Sequence, residues 1–261
     1  MKKIKFSKMV AAGNDFVVVK GKLRGNLPTL ARSLCDRKFG IGADGLLLLS
    51  ECSGADFRMR IFNADGSEAE MCGNGARCAA LFNGKKKSKM LTLAGTINTE
   101  VSGSRVKIQI TDPKDIRLDI PLTVNSRKIK VNFINTGVPH VVIFVNGIDG
   151  INVKQIGRFI RSHKEFAPAG TNVNFVEAKA DNLIRVRTYE RGVEDETLAC
   201  GTGSTASALI LALKNNLANL VKVSTQSGEI LKIYFKKNKC SFDNVWLEGS
   251  AKIVYKGEYN V

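Results

Sequence analysis

Apolar residues along this chain gather in short runs with β-branched or alternating character, the pattern of strands that bury one or both faces. Residues 4–6, 16–20, 46–49, 57–62, 90–93 and 106–110 form such a series, and 131–134, 141–145, 174–177 and 184–189 continue it. The series closes with 221–224, 230–235, 245–248 and 251–255. Helical spacing is rarer. It predicts helices over 27–36, where Pro28 sits as a helix-start residue, and over 75–83, 153–162 and 203–215. The expected class is α+β, with mainly antiparallel sheets and few helices.

Two of these segments repeat one another. Residues 61–81 read IFNADGSEAEMCGNGARCAAL, and residues 188–209 read TYERGVEDETLACGTGSTASAL. In each, an acid-rich loop leads into Cys-Gly-x-Gly, and small and apolar residues follow at helical spacing. Cys72 and Cys200 lie 128 positions apart. Gly13-Asn14-Asp15-Phe16-Val17-Val18 matches Gly137-Val138-Pro139-His140-Val141-Val142 at an offset of 124, and residues 39–45 match 166–172, more loosely, at 127. Offsets that rise in order mark a duplication with small insertions, and a period this long is a duplicated domain rather than an array. The 261 residues are therefore read as two homologous, pseudo-symmetric lobes. Each is expected to be a mainly antiparallel sheet wrapped around a central helix that lies behind its Cys-Gly loop. Asp112-Pro113-Lys114-Asp115 is the expected boundary, with residues 1–114 in one lobe and 115–249 in the other. A last strand over 250–261 is expected to cross back to the first lobe.

Composition narrows the classes. The hydrophobic fraction of 44% is ample for two cores. No apolar run is long enough to span a bilayer, and Asn14 and Asp15 interrupt the first candidate for a signal peptide. A cytoplasmic protein with no membrane partner is expected. Six cysteines fit a reducing compartment, and Cys35, Cys52, Cys78 and Cys240 read as small buried hydrophobes. With only two histidines, His140 and His163, and no Cys-x2-Cys pair, no metal site is expected. The formal charge of +16 raises the question of a nucleic-acid partner. The lysines are dispersed, however, and the clusters at 85–89 and 236–239 read as turns without interleaved aromatics. No nucleic-acid partner is expected, although a positive field would attract a substrate bearing carboxylates.

Candidate chemistry follows from the duplicated cysteines. A thiol where a loop gives way to a helix feels the partial positive charge of the helix N-terminus, which favours its thiolate. Gly73, Gly75, Gly201 and Gly203 leave room for close approach of a ligand. Helix-terminal N–H groups would hold a carboxylate. Two such thiols, one from each half, suit the removal of a proton from one face of a carbon and its delivery to the other.

Residues 62–67 (FNADGS) leading to 71–78 (MCGNGARC) closely resemble the diaminopimelate epimerase family, as do Tyr189-Glu190-Arg191-Gly192 and 196–203 (ETLACGTG). Gly13-Asn14-Asp15-Phe16, Asp36-Arg37 with residues 39–45 (FGIGADG), and Pro139-His140 agree as well. The resemblance spans the chain. It implies a cofactor-independent epimerase of lysine and peptidoglycan precursor biosynthesis that interconverts LL- and meso-2,6-diaminopimelate. In the family's two-base mechanism, one cysteine as thiolate takes the α-proton while the other, as thiol, delivers one to the opposite face. The implied acceptor in the LL-to-meso direction is Cys200 and the donor Cys72, with roles exchanged in reverse. His140 and Glu190 match positions that tune the two thiols. Asn14, Asn63, Asn74, Asn172, Glu190 and Arg191 match ligand-binding positions, with Gly73, Gly201 and Thr202 offering backbone groups. A homodimer is a further expectation, and no cofactor is implied.

Two positions depart from part of the family. Some relatives carry glutamine in place of Gly45 and asparagine in place of Val138, and either would add a ligand contact absent here. Two rival readings remain open from sequence. One is another cofactor-independent racemase on the same scaffold, of the proline or hydroxyproline type, against which stand Glu190-Arg191-Gly192 and Met71-Cys72-Gly73-Asn74. The other is a nucleic-acid-binding protein on an inactive scaffold, against which stands the retention of both cysteine loops.

Overall fold

The computed structural model describes residues 3–21, 23, 25–124 and 127–260. The chain divides into two units, Met1–Ile108 with Gly249–Val261, and Gln109–Glu248. The second break therefore adjoins residue 249, and the first precedes the Asp-Pro segment at 112–115. Residue 114 itself opens a strand, Lys114–Val124.

In the first unit Lys252–Asn260 pairs antiparallel with Lys3–Ala11, which pairs antiparallel with Asn14–Lys20. Asn14–Lys20 then runs parallel to Gly45–Ser50, whose antiparallel neighbour is Phe57–Asn63. A second parallel join links Phe57–Asn63 to Lys87–Thr92, and Gly95–Ser102 and Arg105–Gln109 follow antiparallel. Parallel neighbours need a long crossover, and each crossover here carries a helix. Helix α1, Leu27–Cys35, lies in the first and α2, Gly73–Asn83, in the second.

The second unit repeats this order. Lys114–Val124, Arg127–Asn135 and Pro139–Phe144 pair antiparallel, Pro139–Phe144 runs parallel to Asn172–Ala180, and Leu183–Glu190 follows antiparallel. Leu220–Ser224 is parallel to Leu183–Glu190, with Ile230–Asn238 and Ser241–Ser250 antiparallel beyond it. Its crossovers carry α3, Val153–Arg161, and α4, Gly201–Lys214. The two units thus share one topology, strand for strand.

Burial separates the helices into two kinds. In α4 every residue from Gly203 to Ala212 is buried, as is every residue of α2 from Asn74 to Ala80. A helix buried all round is one that the sheet wraps. By contrast α1 buries Ala31, Leu34 and Cys35, and α3 buries Val153, Gly157 and Ile160, a single stripe in each. Separate apolar clusters form beneath these stripes, around Leu34, Leu46 and Phe62 in the first unit and around Val131, Phe133 and Phe175 in the second.

Several expectations need correction. Gly95–Ser102 and Lys114–Val124 are strands that the apolar pattern did not predict. Leu122 is the one buried residue of Lys114–Val124, so backbone pairing with 127–135 holds it rather than an apolar face. Short strands at Glu68–Ala69 and Asp195–Thr197 were equally illegible. The lysine clusters expected in turns run into strands, where Lys87 and Lys89 face outward between buried Ser88 and Met90. Cys35 and Cys78 are buried, but Cys52 is half-buried and Cys240 is exposed, because residue 240 lies in the turn between Ile230–Asn238 and Ser241–Ser250. No helix of the described residues is long and apolar enough to cross a membrane.

Candidate active site

Both cysteine helices begin two residues earlier than their apolar spacing predicts. Glycines at 73, 75, 201 and 203 add nothing to an apolar period, so the first turn is invisible to it. As a result Cys72 is the N-cap of α2 (φ −141°, ψ 123°) and Cys200 the N-cap of α4 (φ −112°, ψ 114°). Neither sulfur is used to cap its own helix. Each thiol therefore stands beside the unpaired N–H groups and positive dipole end of a buried helix.

The hairpin before each cysteine is braced in the same way. Arg60 grips Glu68 with paired bonds of 2.7 and 2.8 Å, and Arg187 grips Glu196 with two of 2.7 Å. Bidentate pairing fixes orientation as well as distance, so each fork pins its short strand, Glu68–Ala69 or Asp195–Thr197, to the strand leading into the site.

Around Cys72 the first unit supplies an oriented amide. The Cys72 thiol lies 3.8 Å from Asn14 Oδ1, and Asn14 Nδ2 donates to Asp44 Oδ2 at 2.6 Å. Arg37 Nη2 spans Asp44 and Asp15, at 2.8 Å from each, and Lys8 Nζ lies 2.6 Å from Asp15 and also reaches the Gly42 carbonyl. Burial works to raise the Asp15 carboxyl, but the hydrogen bonds from Arg37 and Lys8 prevail and hold its pKa down to about 2. Asn74 is buried in the first turn of α2, where its Oδ1 accepts from Arg77 Nη2 at 2.9 Å. Asn63 is exposed and donates to Ser67 Oγ at 3.0 Å; its strand partner is Gly45.

Around Cys200 the second unit supplies a carboxylate. Glu190 accepts from Thr197 Oγ1 and hydrogen-bonds the Cys200 thiol. Burial raises the Glu190 pKa, against the lowering effect of those two bonds. Cys200 Sγ also lies 3.5 Å from Thr202 Oγ1, while the Thr202 carbonyl accepts from Thr136 at 3.2 Å. Asn172 donates to the Pro139 carbonyl at 3.1 Å and accepts from the Arg191 backbone N–H at 2.8 Å, tying the turn at 190–191 to the strand beside it. The Arg191 guanidinium donates to the Ala169 carbonyl at 2.8 Å. His140 is fully buried against Asn174, and burial together with the nearby Arg191 charge lowers its pKa to about 3. His163 sits apart, half-buried, with Nδ1 accepting from the Glu165 N–H at 3.2 Å.

Within the first unit, then, Asn14 and Cys72 meet, and within the second Glu190, Cys200 and Thr202 meet. Sequence reasoning did not single out Asp44, Thr197, Asn174 or Thr188. Asp44 lies inside the 39–45 motif, so a signal for it existed. Thr197 likewise lies inside the 196–203 motif, whereas Asn174 and Thr188 are polar strand positions whose alternation with apolar neighbours reads as a solvent-facing side.

The chain matches the family model for diaminopimelate epimerase over residues 6–120 and 132–254. The chain belongs to the diaminopimelate epimerase family. It is 44% identical to the diaminopimelate epimerase of Aquifex aeolicus, with 97% of each chain covered. It is also 41% identical to that of Chlorobaculum tepidum, covering 95% of this chain and 98% of the relative. The fold is shared more widely. A PhzF-family phenazine biosynthesis protein of Bacillus anthracis superposes over all of both chains with a TM-score of 0.76 at 18% identity. A hydroxyproline epimerase of Agrobacterium vitis gives 0.73 at 14% identity, covering 98% of this chain and 92% of that one. Identity of 41–44% across nearly the whole length separates the diaminopimelate epimerase relatives from these neighbours, which share the fold alone.

Proposed function

We propose that this chain interconverts LL- and meso-2,6-diaminopimelate, with Cys72 and Cys200 as the paired proton donor and acceptor. Family membership supports the substrate. The observation that carries the mechanism is that each Cys-Gly-x-Gly thiol caps the N-terminus of a buried helix. In the LL-to-meso direction the Cys200 sulfur, as thiolate, takes the α-proton: the C–H bond breaks, an S–H bond forms, and the electron pair stays on carbon and spreads into the carboxylate. The Cys72 S–H bond then breaks and its proton closes a new C–H bond on the opposite face. Reversal exchanges the roles. Glu190, bonded to the Cys200 thiol, is the group that receives its proton before the first step. Helix-terminal N–H groups at 73–74 and 201–202 would stabilise the carboxylate as its charge grows.

The remaining recognition falls to Asn14, Asn63, Asn74, Asn172 and Arg191, with Arg191 suited to a distal carboxylate by its planar fork. Asn172 and Arg191 already hold one another through the backbone, so they would act as one surface. The working form is read as a cytoplasmic homodimer. Free cysteines support the compartment. Exposed Ile253, Val254 and Tyr255 on Lys252–Asn260 support an association surface. Sedimentation that finds only monomer would remove that part of the reading.

The test is exchange of the α-proton in deuterated water with purified protein and a panel holding diaminopimelate, proline and hydroxyproline. Exchange with diaminopimelate, with epimerisation lost in both Cys72→Ser and Cys200→Ser, is the expected result. Preference for proline, or wild-type epimerisation in either serine variant, would overturn it.

A further inference from the structure

The two units build the floor beneath their cysteine helices from equivalent positions, and one of them does so with polar side chains. In the first unit the strand registers place Phe16 opposite Gly45, Val18 opposite Leu47 and Leu47 opposite Ile61. The second unit has the same registers with His140 opposite Asn172, Val142 opposite Asn174 and Asn174 opposite Thr188. Phe16, Leu47 and Ile61, which lie against Gly75, therefore correspond to His140, Asn174 and Thr188, with Asn174 against Gly203. An apolar floor suffices for this topology in the first unit. The buried polar floor of the second unit has some other reason, because polar groups are costly to bury.

Its hydrogen bonds determine the state of the histidine. Asn174 Nδ2 donates to the Val141 carbonyl at 2.9 Å, and Asn174 Oδ1 accepts from Thr188 Oγ1 at 3.0 Å. A carbonyl only accepts, so the amide has one orientation and its nitrogen faces His140 Nδ1, 3.1 Å away. An amide nitrogen has only hydrogens to offer, so Nδ1 is the acceptor and the single proton of the neutral ring sits on Nε2. That Nε2 is buried and has no hydrogen-bond partner among the described residues. The ring's neutrality follows from its burial and from the Arg191 charge.

We propose that Asn174 is a positioning residue that locks His140 as the Nε2–H tautomer, so that His140 serves the reaction as a hydrogen-bond donor to an anionic acceptor and not as a proton acceptor. This use of the ring rests on the epimerase reading above; the tautomer does not. The acceptor is an anion that exists only in the working cycle, either the substrate carboxylate or the Cys200 thiolate. Asn174 lies under the first turn of α4, since a Cβ at Gly203 would stand 2.3 Å from its Oδ1 and 3.3 Å from Cys200 Cβ. The lock and the thiol thus share one turn of helix.

With only two histidines, protein labelled with [15N]histidine reads the tautomer directly by long-range proton–nitrogen correlation, without substrate. His140 is expected to show a pyridine-type Nδ1 and a pyrrole-type Nε2 at neutral pH. A pyrrole-type Nδ1 in the wild type overturns the proposal even if epimerisation is confirmed. Asn174→Asp offers Nδ1 only acceptors, so the ring should move its proton to Nδ1 or hold two. Asn174→Leu installs the residue found at the equivalent position of the first unit. With the donor no longer held, kcat should fall by about 10²–10³-fold, as for other lost transition-state donors. Wild-type kcat in both variants would refute the donor role. A fall in kcat joined by a rise in KM identifies the substrate carboxylate as the acceptor. An upward shift in the pH dependence of Cys200 alkylation identifies the thiolate.

Discussion

Replacing Gly203 with alanine tests how tightly α4 is seated, and Gly75→Ala is its internal control. At Gly203 the new methyl would stand 2.3 Å from Asn174 Oδ1 and 3.3 Å from Asn174 Cγ, where ordinary contact begins near 3.4 Å. Relief needs a movement of more than 1 Å in an amide held by Thr188, Val141 and His140. Overpacking costs about 1–3 kcal/mol, and loosening two of those bonds adds about 1 kcal/mol each. Alanine returns about 1 kcal/mol of helix propensity, less in a first turn. The net loss expected is about 2–4 kcal/mol. At Gly75 the same methyl meets the ends of Leu47 and Ile61 side chains at 3.1 and 3.3 Å, which rotate aside. There the cost and the propensity gain nearly cancel, leaving within about 1 kcal/mol of the wild type. Urea unfolding of both variants gives the two numbers, and α-proton exchange should fall in Gly203→Ala far more than in Gly75→Ala. Equal losses at the two sites, or a wild-type midpoint for Gly203→Ala, would refute the claim that the rigid Asn174 amide sets the fit.

Two further outcomes follow from charge. Asp15 has a folded pKa of about 2 against 3.8 for an ordinary aspartate, so its contribution is complete above 3.8 and disappears as pH falls through about 2. Asp15→Asn should therefore lose about 2 kcal/mol near neutral pH and converge on the wild type in acid, as read by unfolding at each pH; a constant difference would show that Asp15 acts through packing instead. In Glu190 the carboxylate is the useful form and burial raises its pKa, so the wild-type exchange rate should climb as pH rises through that raised value. Glu190→Gln should abolish this acid limb and lower the plateau by about 10²-fold, whereas an unchanged limb would assign it to another group.

The duplicated Cys-Gly-x-Gly loops were legible because chemistry and spacing coincide there: a thiol, two glycines and an apolar helix behind them. The central helices followed, with only their first turns missed for want of apolar residues. Strand Lys114–Val124 was illegible for the opposite reason, since a strand held by backbone pairing leaves no apolar trace. The full burial of Arg77 could not be anticipated from α2, because beside the Gly73 carbonyl and the Asn74 amide of its own helix it reaches the distant Ser250 carbonyl. Asn174 and Thr188 pose the same difficulty in strands. Polar residues alternating with apolar ones read as a solvent-facing side, and only the helix laid across them turns that side into an interior. The sequence therefore announces which residues do chemistry more readily than which residues hold them in place.

Phe6 packs its ring against Tyr255 at 5.9 Å between centroids, and Gly257 lies so close that a Cβ there would come within 2.9 Å of the ring. Both contacts come from Lys252–Asn260, which is the pairing partner of Lys3–Ala11. During synthesis on the ribosome, Phe6 emerges well before the strand that covers it. Residues 109–248 form one continuous stretch, so the second unit is free to fold while the first still lacks an edge. The nascent chain then carries a finished second unit while the first is unfinished, with Ile4 and Phe6 open to chaperones until Lys252–Asn260 has been made.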